Sequence, residues 1–129
     1  MGYNLLESQW SLLKEIKVSN HNYIEALADV PADSPWFLGH FPGEPILPGI
    51  ALIYIVEQTV IQDALAKGTQ VQLHALKRVR FTQPVRPEET LSVSITGEEA
   101  GEQILFSFKV AHKENIVCSG SIIAKKINR

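Results

Sequence analysis

Apolar and polar residues alternate with a period of two through most of the second half of the chain. The alternating runs are Val71 to Phe81, Leu91 to Ile95, Ile104 to Val110 and Ile116 to Ala124. This period is typical of strands that bury one face. Polar segments at 97–102 and 113–115 predict hairpin connections between the last three runs. We therefore expect an antiparallel sheet here.

One long apolar segment, residues 49–67, precedes these strands, and Gly68 follows it as a helix-ending residue. The first two turns of this segment are apolar on every side, which is the pattern of a buried helix. A buried helix followed by antiparallel strands predicts an α+β fold in which the sheet wraps around a long central helix.

The first 49 residues predict smaller elements. Apolar positions recur at helical spacing over residues 4–14 and predict a short amphipathic helix, and residues 15–31 predict one or two strands. Residues 32–49 are dense in proline and glycine. Because proline lacks the N–H group and restricts φ, we expect a loop there.

Composition narrows the class of protein. The 129 residues fit one domain, residues 1–129, and the net charge of −2 does not favour nucleic acid or an anionic membrane as partner. The single cysteine, Cys118, cannot form an internal disulfide, and it is expected to be a core residue. No signal-peptide pattern opens the chain, and the apolar run 46–56 is too short to span a bilayer. We expect a cytoplasmic protein.

The candidate chemistry lies where the loop enters the central helix. His40 stands in a segment whose prolines restrict the backbone, so the imidazole can be held in place by few contacts. The helix N-terminus near Gly49 can stabilise an oxygen that gains negative charge, such as a thioester carbonyl, and a residue without a side chain allows close approach. The alternative is a loop histidine bonded to a backbone carbonyl.

Two segments resemble the β-hydroxyacyl-(acyl carrier protein) dehydratases, members of the thioester-dehydratase hot-dog superfamily. Residues 40–49, His-Phe-Pro-Gly-Glu-Pro-Ile-Leu-Pro-Gly, are similar to the loop that enters the central helix of that family. Residues 77–91 are similar to its basic-Phe-x-x-Pro-Val strand and turn. The resemblance covers about residues 20–125 and implies a single hot-dog domain.

The resemblance also implies a reaction and a site. A 3-hydroxyacyl thioester, carried by acyl carrier protein or coenzyme A, would lose water to give the trans-2-enoyl product without cofactor or metal. His40 would be the base. The substrate-binding positions would be Phe41, Gly43, Pro48, Gly49, Gln58 and Arg80. The assembly implied is a homodimer, or a trimer of dimers, with sites at the interface and His40 and the helix residue coming from different subunits.

The chain departs from this pattern at Tyr54, where the family has an acidic residue. Glu57 lies one helical turn further on the same face and would have a raised pKa if desolvated. Tyr54 itself is a second candidate, and loss of the acid is a third. The alternative, non-catalytic interpretations are core packing for Tyr54 and a solvent-facing or dimer-facing position for Glu57.

Two further functions compete with the dehydratase. One is a non-catalytic subunit that binds acyl thioesters or acyl carrier protein, and the other is a thioesterase. The basic side chains Lys77, Arg78, Arg80 and Arg86 would meet the phosphopantetheine phosphate or an acidic carrier, or simply face solvent. No metal-ligand spacing, phosphate loop or nucleophile elbow is found in the sequence.

Overall fold

The computed structural model describes residues 9–38 and 43–127. Residues 9 and 10 are helical. The elements that follow are the strands β1 (Leu13–Ser19) and β2 (Tyr23–Asp29), a 3-10 turn (Pro35–Phe37), the helix α1 (Gly49–Ala66) and the strands β3 (Val71–Phe81), β4 (Thr90–Ala100), β5 (Gln103–His112) and β6 (Asn115–Lys126). The predicted combination of one long helix and antiparallel strands is confirmed.

The six strands form one antiparallel sheet in the order β1-β2-β4-β5-β6-β3. Strands β4, β5 and β6 are joined by hairpins because the turn residues Gly101 and Lys113 adopt positive φ values of 66° and 56°. Strand β3 precedes this meander in the chain but pairs with β6. Strands β3 and β1 are therefore the two edges of the sheet.

The helix α1 packs its apolar side against the inner face of the sheet. Its buried residues are Ala51, Leu52, Ile53, Ile55, Val56, Thr59, Val60, Asp63 and Ala64. The helix ends as predicted, because Gly68 has a φ of +80° and its N–H donates to the carbonyl of Leu65. By length and composition α1 could also cross a membrane, but it forms the core helix of this fold.

The expectation that α1 is covered on every side in its first turns is wrong for one face. Ile50 is 65% exposed, and Ile61 and Leu65 further along the helix are exposed as well. On the neighbouring edge strand Leu76 is 45% exposed, although its cross-strand partner Ile122 is fully buried. The sheet of this chain therefore does not cover the helix completely.

The expectation of a helix over residues 4–14 also needs correction. Residues 4–8 lie outside the described part of the chain, and β1 begins at Leu13, so that prediction is wrong for its last two residues. Leu12 is buried in the core, and Leu13 pairs with Ala28 of β2. Pairing with a neighbouring strand outweighs a weak local helix preference here.

A bulge interrupts β3 where it runs beside β6. Arg78 has a φ of +55°, unusual for a residue with a side chain, and the pairing register shifts between Lys77 and Arg80. An uninterrupted alternation from Val71 to Phe81 would put Lys77 and Phe81 on the same face. Instead the bulge puts Lys77 and Arg80 on the outer face of the sheet, while Phe81 lies on the helix side opposite buried Cys118.

Gly120 of β6 should be intolerant of a side chain. A Cβ atom there would lie 2.9 Å from Phe108 Cζ and 3.1 Å from the backbone Cα of Val79. Phe108 is almost fully buried, so neither neighbour can withdraw into solvent. We expect Gly120→Ala to lower the free energy of unfolding by about 1–3 kcal/mol in urea denaturation. Ser121→Ala, on the other face, is the matched control, and equal stability of the two variants would contradict this expectation.

Candidate active site

The segment that enters α1 is held by the loop that follows β3. The N–H of Leu47 donates to the carbonyl of Val85 at 2.8 Å, and both side chains are buried. Glu44 and Arg86 form an exposed ion pair at 3.8 Å. The two sequence segments that carry the family resemblance therefore meet in space, although Leu47 and Val85 are 38 positions apart along the chain.

Some of the site residues predicted in this loop lie outside the described residues, and others lie within them. His40 and Phe41 lie outside the described residues. Gly43 has a φ of +84°, which a residue with a side chain rarely adopts, and it is exposed. Pro48 is the N-cap of α1 and provides no side-chain hydrogen bond there, so the first N–H groups of the helix are not satisfied by a capping side chain.

The space in front of Gly49 is filled in this protomer. A Cβ atom on Gly49 would lie 2.7 Å from Phe81 Cζ, because the aromatic ring lies against the glycine. The absence of a side chain at position 49 therefore lets the Phe81 ring pack closely here, and the approach of a substrate to Gly49 stays a prediction. Phe81 is itself 53% exposed, so part of its side chain also faces solvent near the helix N-terminus.

Tyr54 belongs to an aromatic cluster, which we define as Trp10, Trp36 and Tyr54. The ring centroids of Trp36 and Tyr54 are 6.0 Å apart, and those of Trp10 and Trp36 are 4.6 Å apart in an edge-to-face arrangement. Trp36 lies on the 3-10 turn just before the His40 segment. All three side chains are half-buried, so Tyr54 is neither fully buried core nor free in solvent.

Glu57 is the acidic residue nearest to Tyr54 on the helix. It is half-buried, and burial raises the pKa of its carboxyl above the usual value. It forms no hydrogen bond or ion pair with any residue in the described ranges. A carboxyl without such a partner can keep its proton and donate it, which is what a general acid requires.

The structure also gives the surroundings of two other predicted binding residues, Gln58 and Arg80. Gln58 accepts a hydrogen bond on Oε1 from the Ser11 hydroxyl at 3.3 Å, so its amide oxygen already has a partner. Arg80 pairs with Ser119 on the outer face of the sheet, away from the helix. Arg80 can therefore meet a carrier on the outside of the sheet, but it does not line the helix side.

A cavity of about 550 Å³ lies at the other end of α1. Val60, Asp63 and Lys67 line it from the helix side, and Ile104 and Phe106 line it from the sheet. Tyr54, Glu57 and Gly49 are not among its lining residues. This cavity therefore lies away from Gly49, the predicted substrate-binding position at the start of the helix.

Cys118 has the core position predicted for it. Within residues 9–38 and 43–127, no group of histidine, cysteine, aspartate and glutamate side chains could hold a metal ion. Cys118 is fully buried, and desolvation raises the pKa of its thiol to about 11, so it is a core residue and not a nucleophile.

Sequence reasoning missed Trp36 and Ser11 as neighbours of the candidate site. Trp36 is 18 positions from Tyr54, and Ser11 is 47 positions from Gln58. No local periodicity links residues so far apart. The only available signal was a tryptophan in a proline-rich segment next to the histidine.

Comparison with known proteins identifies the family of this chain. The sequence profile of the ApeI-like family, described as ApeI dehydratase, matches residues 15–121. The chain is 30% identical over 130 residues to the 3-hydroxyacyl-(acyl-carrier-protein) dehydratase FabZ of Syntrophobacter fumaroxidans, a match that covers 96% of this chain and 88% of that protein. It spans between 50% and 64% of the length of several further FabZ proteins.

Solved structures share the fold. The dehydratase heterocomplex ApeI:P of Xenorhabdus doucetiae matches with a TM-score of 0.69 and 24% identity, over 89% of this chain and 97% of that chain. The thioesterase HI1161 of Haemophilus influenzae matches with a TM-score of 0.67 and 18% identity, over 88% of this chain and 78% of that chain. These matches confirm the hot-dog fold. The chain belongs to the ApeI-like dehydratase family, the FabZ-related group of hot-dog proteins.

Proposed function

We propose that the protein eliminates water from a 3-hydroxyacyl thioester to give the trans-2-enoyl thioester. The imidazole of His40 takes the proton from the α-carbon, and the electrons of that C–H bond form the double bond to the β-carbon. The bond from the β-carbon to the hydroxyl breaks, and Glu57 protonates the departing oxygen so that it leaves as water. No redox cofactor takes part, because the substrate is neither oxidised nor reduced overall.

The main support for this proposal is the half-buried position of Glu57 and the raised pKa of its carboxyl. Glu57 is the acidic residue in the apolar part of α1 that the structure describes. It lies one helical turn from the position where the family has its acid. Its carboxyl has a raised pKa and no hydrogen-bonding partner in the described ranges. Covering this helix face with a second subunit would remove more water and raise the pKa further, in the direction that favours a proton donor.

The direct test supplies 3-hydroxybutyryl-coenzyme A, and separately the same acyl group on acyl carrier protein. We expect the absorbance of a conjugated enoyl thioester to appear, and crotonyl thioester to be hydrated in reverse. The comparison of the two substrates identifies the preferred carrier. Release of free thiol, followed with a thiol reagent, would instead indicate a thioesterase. Absence of both the enoyl thioester and the free thiol would contradict an enzymatic function.

A non-catalytic acyl-thioester binding subunit is the second candidate. The observation that favours it is the replacement of the family's acid by Tyr54, whose ring packs against Trp36. Under this alternative the protein binds the acyl carrier protein or its acyl group without forming enoyl product. A binding titration with acyl carrier protein, run beside the activity assay, separates the two functions.

The proposed assembly is a homodimer whose β3 edges meet. Strand β3 ends the sheet, so its outer backbone groups have no neighbouring strand in the protomer. Leu76 and Phe81 are exposed on this strand, and α1 has exposed apolar side chains as well. A two-fold dimer would bury them together. The ApeI:P heterocomplex makes a related second subunit the other possible partner at the same edge.

Leu76→Arg is expected to convert the dimer to a monomer and to abolish activity. The substitution puts a charge where the partner subunit would lie, but it leaves the buried core of the protomer unchanged. Size-exclusion chromatography with light scattering would measure the mass, and circular dichroism would check the fold.

The matched control is Leu105→Arg. Leu105 is 40% exposed, but it alternates with buried Ile104 and so lies on the outer face of the sheet. This control should remain a dimer. A dimeric Leu76→Arg variant, or a monomeric wild-type protein that is active, would show that the β3 edge is not the interface.

A further inference from the structure

Trp36 contacts the central helix from the segment that precedes the helix in the chain. It lies on the 3-10 turn Pro35–Phe37, four residues before His40, and its ring meets the ring of Tyr54 on α1. Ser34 fixes the start of this turn, since its side chain accepts a hydrogen bond from the N–H of Trp36. We infer that Trp36 is a positioning residue that fixes the side chain of Tyr54 and, through it, the reactive turn of α1. This inference rests on the proposed function.

The indole of Trp36 is itself held in one orientation. Its Nε1–H donates to the carbonyl of Trp10 at 2.7 Å, and the two indole planes stand at 80° with centroids 4.6 Å apart. A hydrogen bond and an edge-to-face contact on the same ring restrict both its rotation and its tilt. Trp36 can therefore act as a fixed surface for a third ring.

Tyr54 is that third ring. Its centroid is 6.0 Å from the centroid of Trp36, and the planes are tilted by 54°, within the range of favourable aromatic pairs. Residues 54 and 57 share one helix face, so the orientation of the Tyr54 ring affects how much water reaches Glu57. Loss of the Trp36 contact would remove one restraint on the Tyr54 ring.

Trp36 is also close to His40 in the sequence, so its contact with Tyr54 lies near the start of the His40 segment along the chain. The 3-10 turn that carries Trp36 is followed closely by residues 39–42, and Tyr54 lies at the helix position that corresponds to the family's acid. A reaction that needs a base and an acid at a set distance loses rate when that distance varies, and a displacement of 1 Å can cost about 100-fold. Trp36 therefore acts on the rate of the chemical step more than on substrate binding.

The test compares three variants, two at Trp36 and one at the neighbouring Phe37. Trp36→Leu is expected to lower kcat by about 10-fold to 100-fold with KM changed by less than about 3-fold. Trp36→Phe keeps a ring beside Tyr54 but loses the Nε1–H donor, so it should recover most of the lost kcat. Phe37→Leu is the matched control, because Phe37 lies on the same turn and packs against the core. It should leave kcat near that of the wild type.

A double-mutant cycle with Tyr54→Leu tests whether Trp36 acts through Tyr54. If it does, Trp36→Leu should change kcat little once Tyr54 has been replaced. The pH dependence gives a second readout. In Trp36→Leu the fall of activity toward high pH should move to lower pH, because water that reaches Glu57 lowers the pKa of its carboxyl. Additive effects, or equal losses in Trp36→Leu and Phe37→Leu, would overturn the inference.

A spectroscopic measurement keeps this inference separate from the proposed function. The chain has three tyrosines, so the ring signal of Tyr54 in tyrosine-labelled protein can be assigned from the spectrum of Tyr54→Phe. This signal should shift in Trp36→Leu and should move much less in Phe37→Leu, even if no substrate is turned over. An inactive wild-type protein would refute the dehydratase, whereas an unchanged Tyr54 signal in Trp36→Leu would refute the positioning role.

Discussion

Replacement of His40 by alanine is expected to lower the rate of dehydration and of the reverse hydration by about 100-fold to 10,000-fold. His40 is the proposed base, and water at neutral pH is a poor acceptor for the α-proton of a thioester. Binding should change much less, because the remaining contacts to the acyl group and its carrier persist. The measurement is the absorbance of the enoyl thioester under single-turnover and steady-state conditions.

Two comparisons make the His40→Ala result specific. His74→Ala removes an exposed histidine of β3, outside both sequence segments of the family resemblance, and should leave the rate unchanged. Small imidazole added to His40→Ala should restore part of the activity if the cavity left by the side chain admits it. Equal rates in wild type and His40→Ala would refute His40 as the base and would favour the binding subunit.

Replacement of Glu57 by glutamine is expected to lower the rate by about 100-fold or more, because an amide cannot give a proton to the departing hydroxyl. Glutamine keeps the size and polarity of the side chain, so packing on this helix face is preserved. Glu114→Gln, at the exposed turn between β5 and β6, is the matched control and should retain the wild-type rate. Full activity in Glu57→Gln would mean that Tyr54 or a water molecule provides the proton.

The pH dependence follows from the direction of the Glu57 pKa shift. A general acid must be protonated, so activity should fall as the pH rises through the raised pKa of Glu57. Glu57→Gln should lack this fall and keep only the fall toward low pH that results from protonation of His40. The bell-shaped profile of the wild type would therefore lose one side.

Folding stability provides an independent control on the same variant. Because the pKa of Glu57 is higher in the folded protein than in the unfolded chain, its contribution to stability is present at low pH. That contribution is lost as the pH rises through the folded pKa. Glu57→Gln should therefore be at least as stable as the wild type near neutral pH, and its loss of activity cannot result from unfolding. A marked fall in Tm would contradict this.

Local sequence patterns predicted the elements well where a physical constraint repeats along the chain. The alternation around Leu91 and Phe108 predicted β4 and β5, since only a strand brings every second residue to one face. The apolar segment before Gly68 predicted α1, and prolines predicted the loop before it. The helix assigned to residues 4–14 was wrong at Leu13, where pairing with a distant strand decides the conformation.

The candidate site was predictable only in part. The spacing on a helix places Glu57 beside Tyr54 without any coordinates, because residues three apart share a face. The packing of Phe81 against Gly49 was not predictable, since it depends on a bulge at Arg78 that changes which residues face the helix. The same bulge moves Arg80 to the outer face. A one-residue shift in register reverses every side chain that follows it.

The order of residues by itself determined the α+β class, the long central helix, the family and the candidate pair Glu57 and His40. These follow from periodicity, from proline and glycine chemistry, and from short motifs, all of which act over a few neighbouring residues. Only the tertiary structure decided that β3 lies beside β6, that one face of α1 is open, and that Trp36 meets Tyr54. Contacts between residues far apart in the chain depend on how whole elements pack, and no local pattern contains that information.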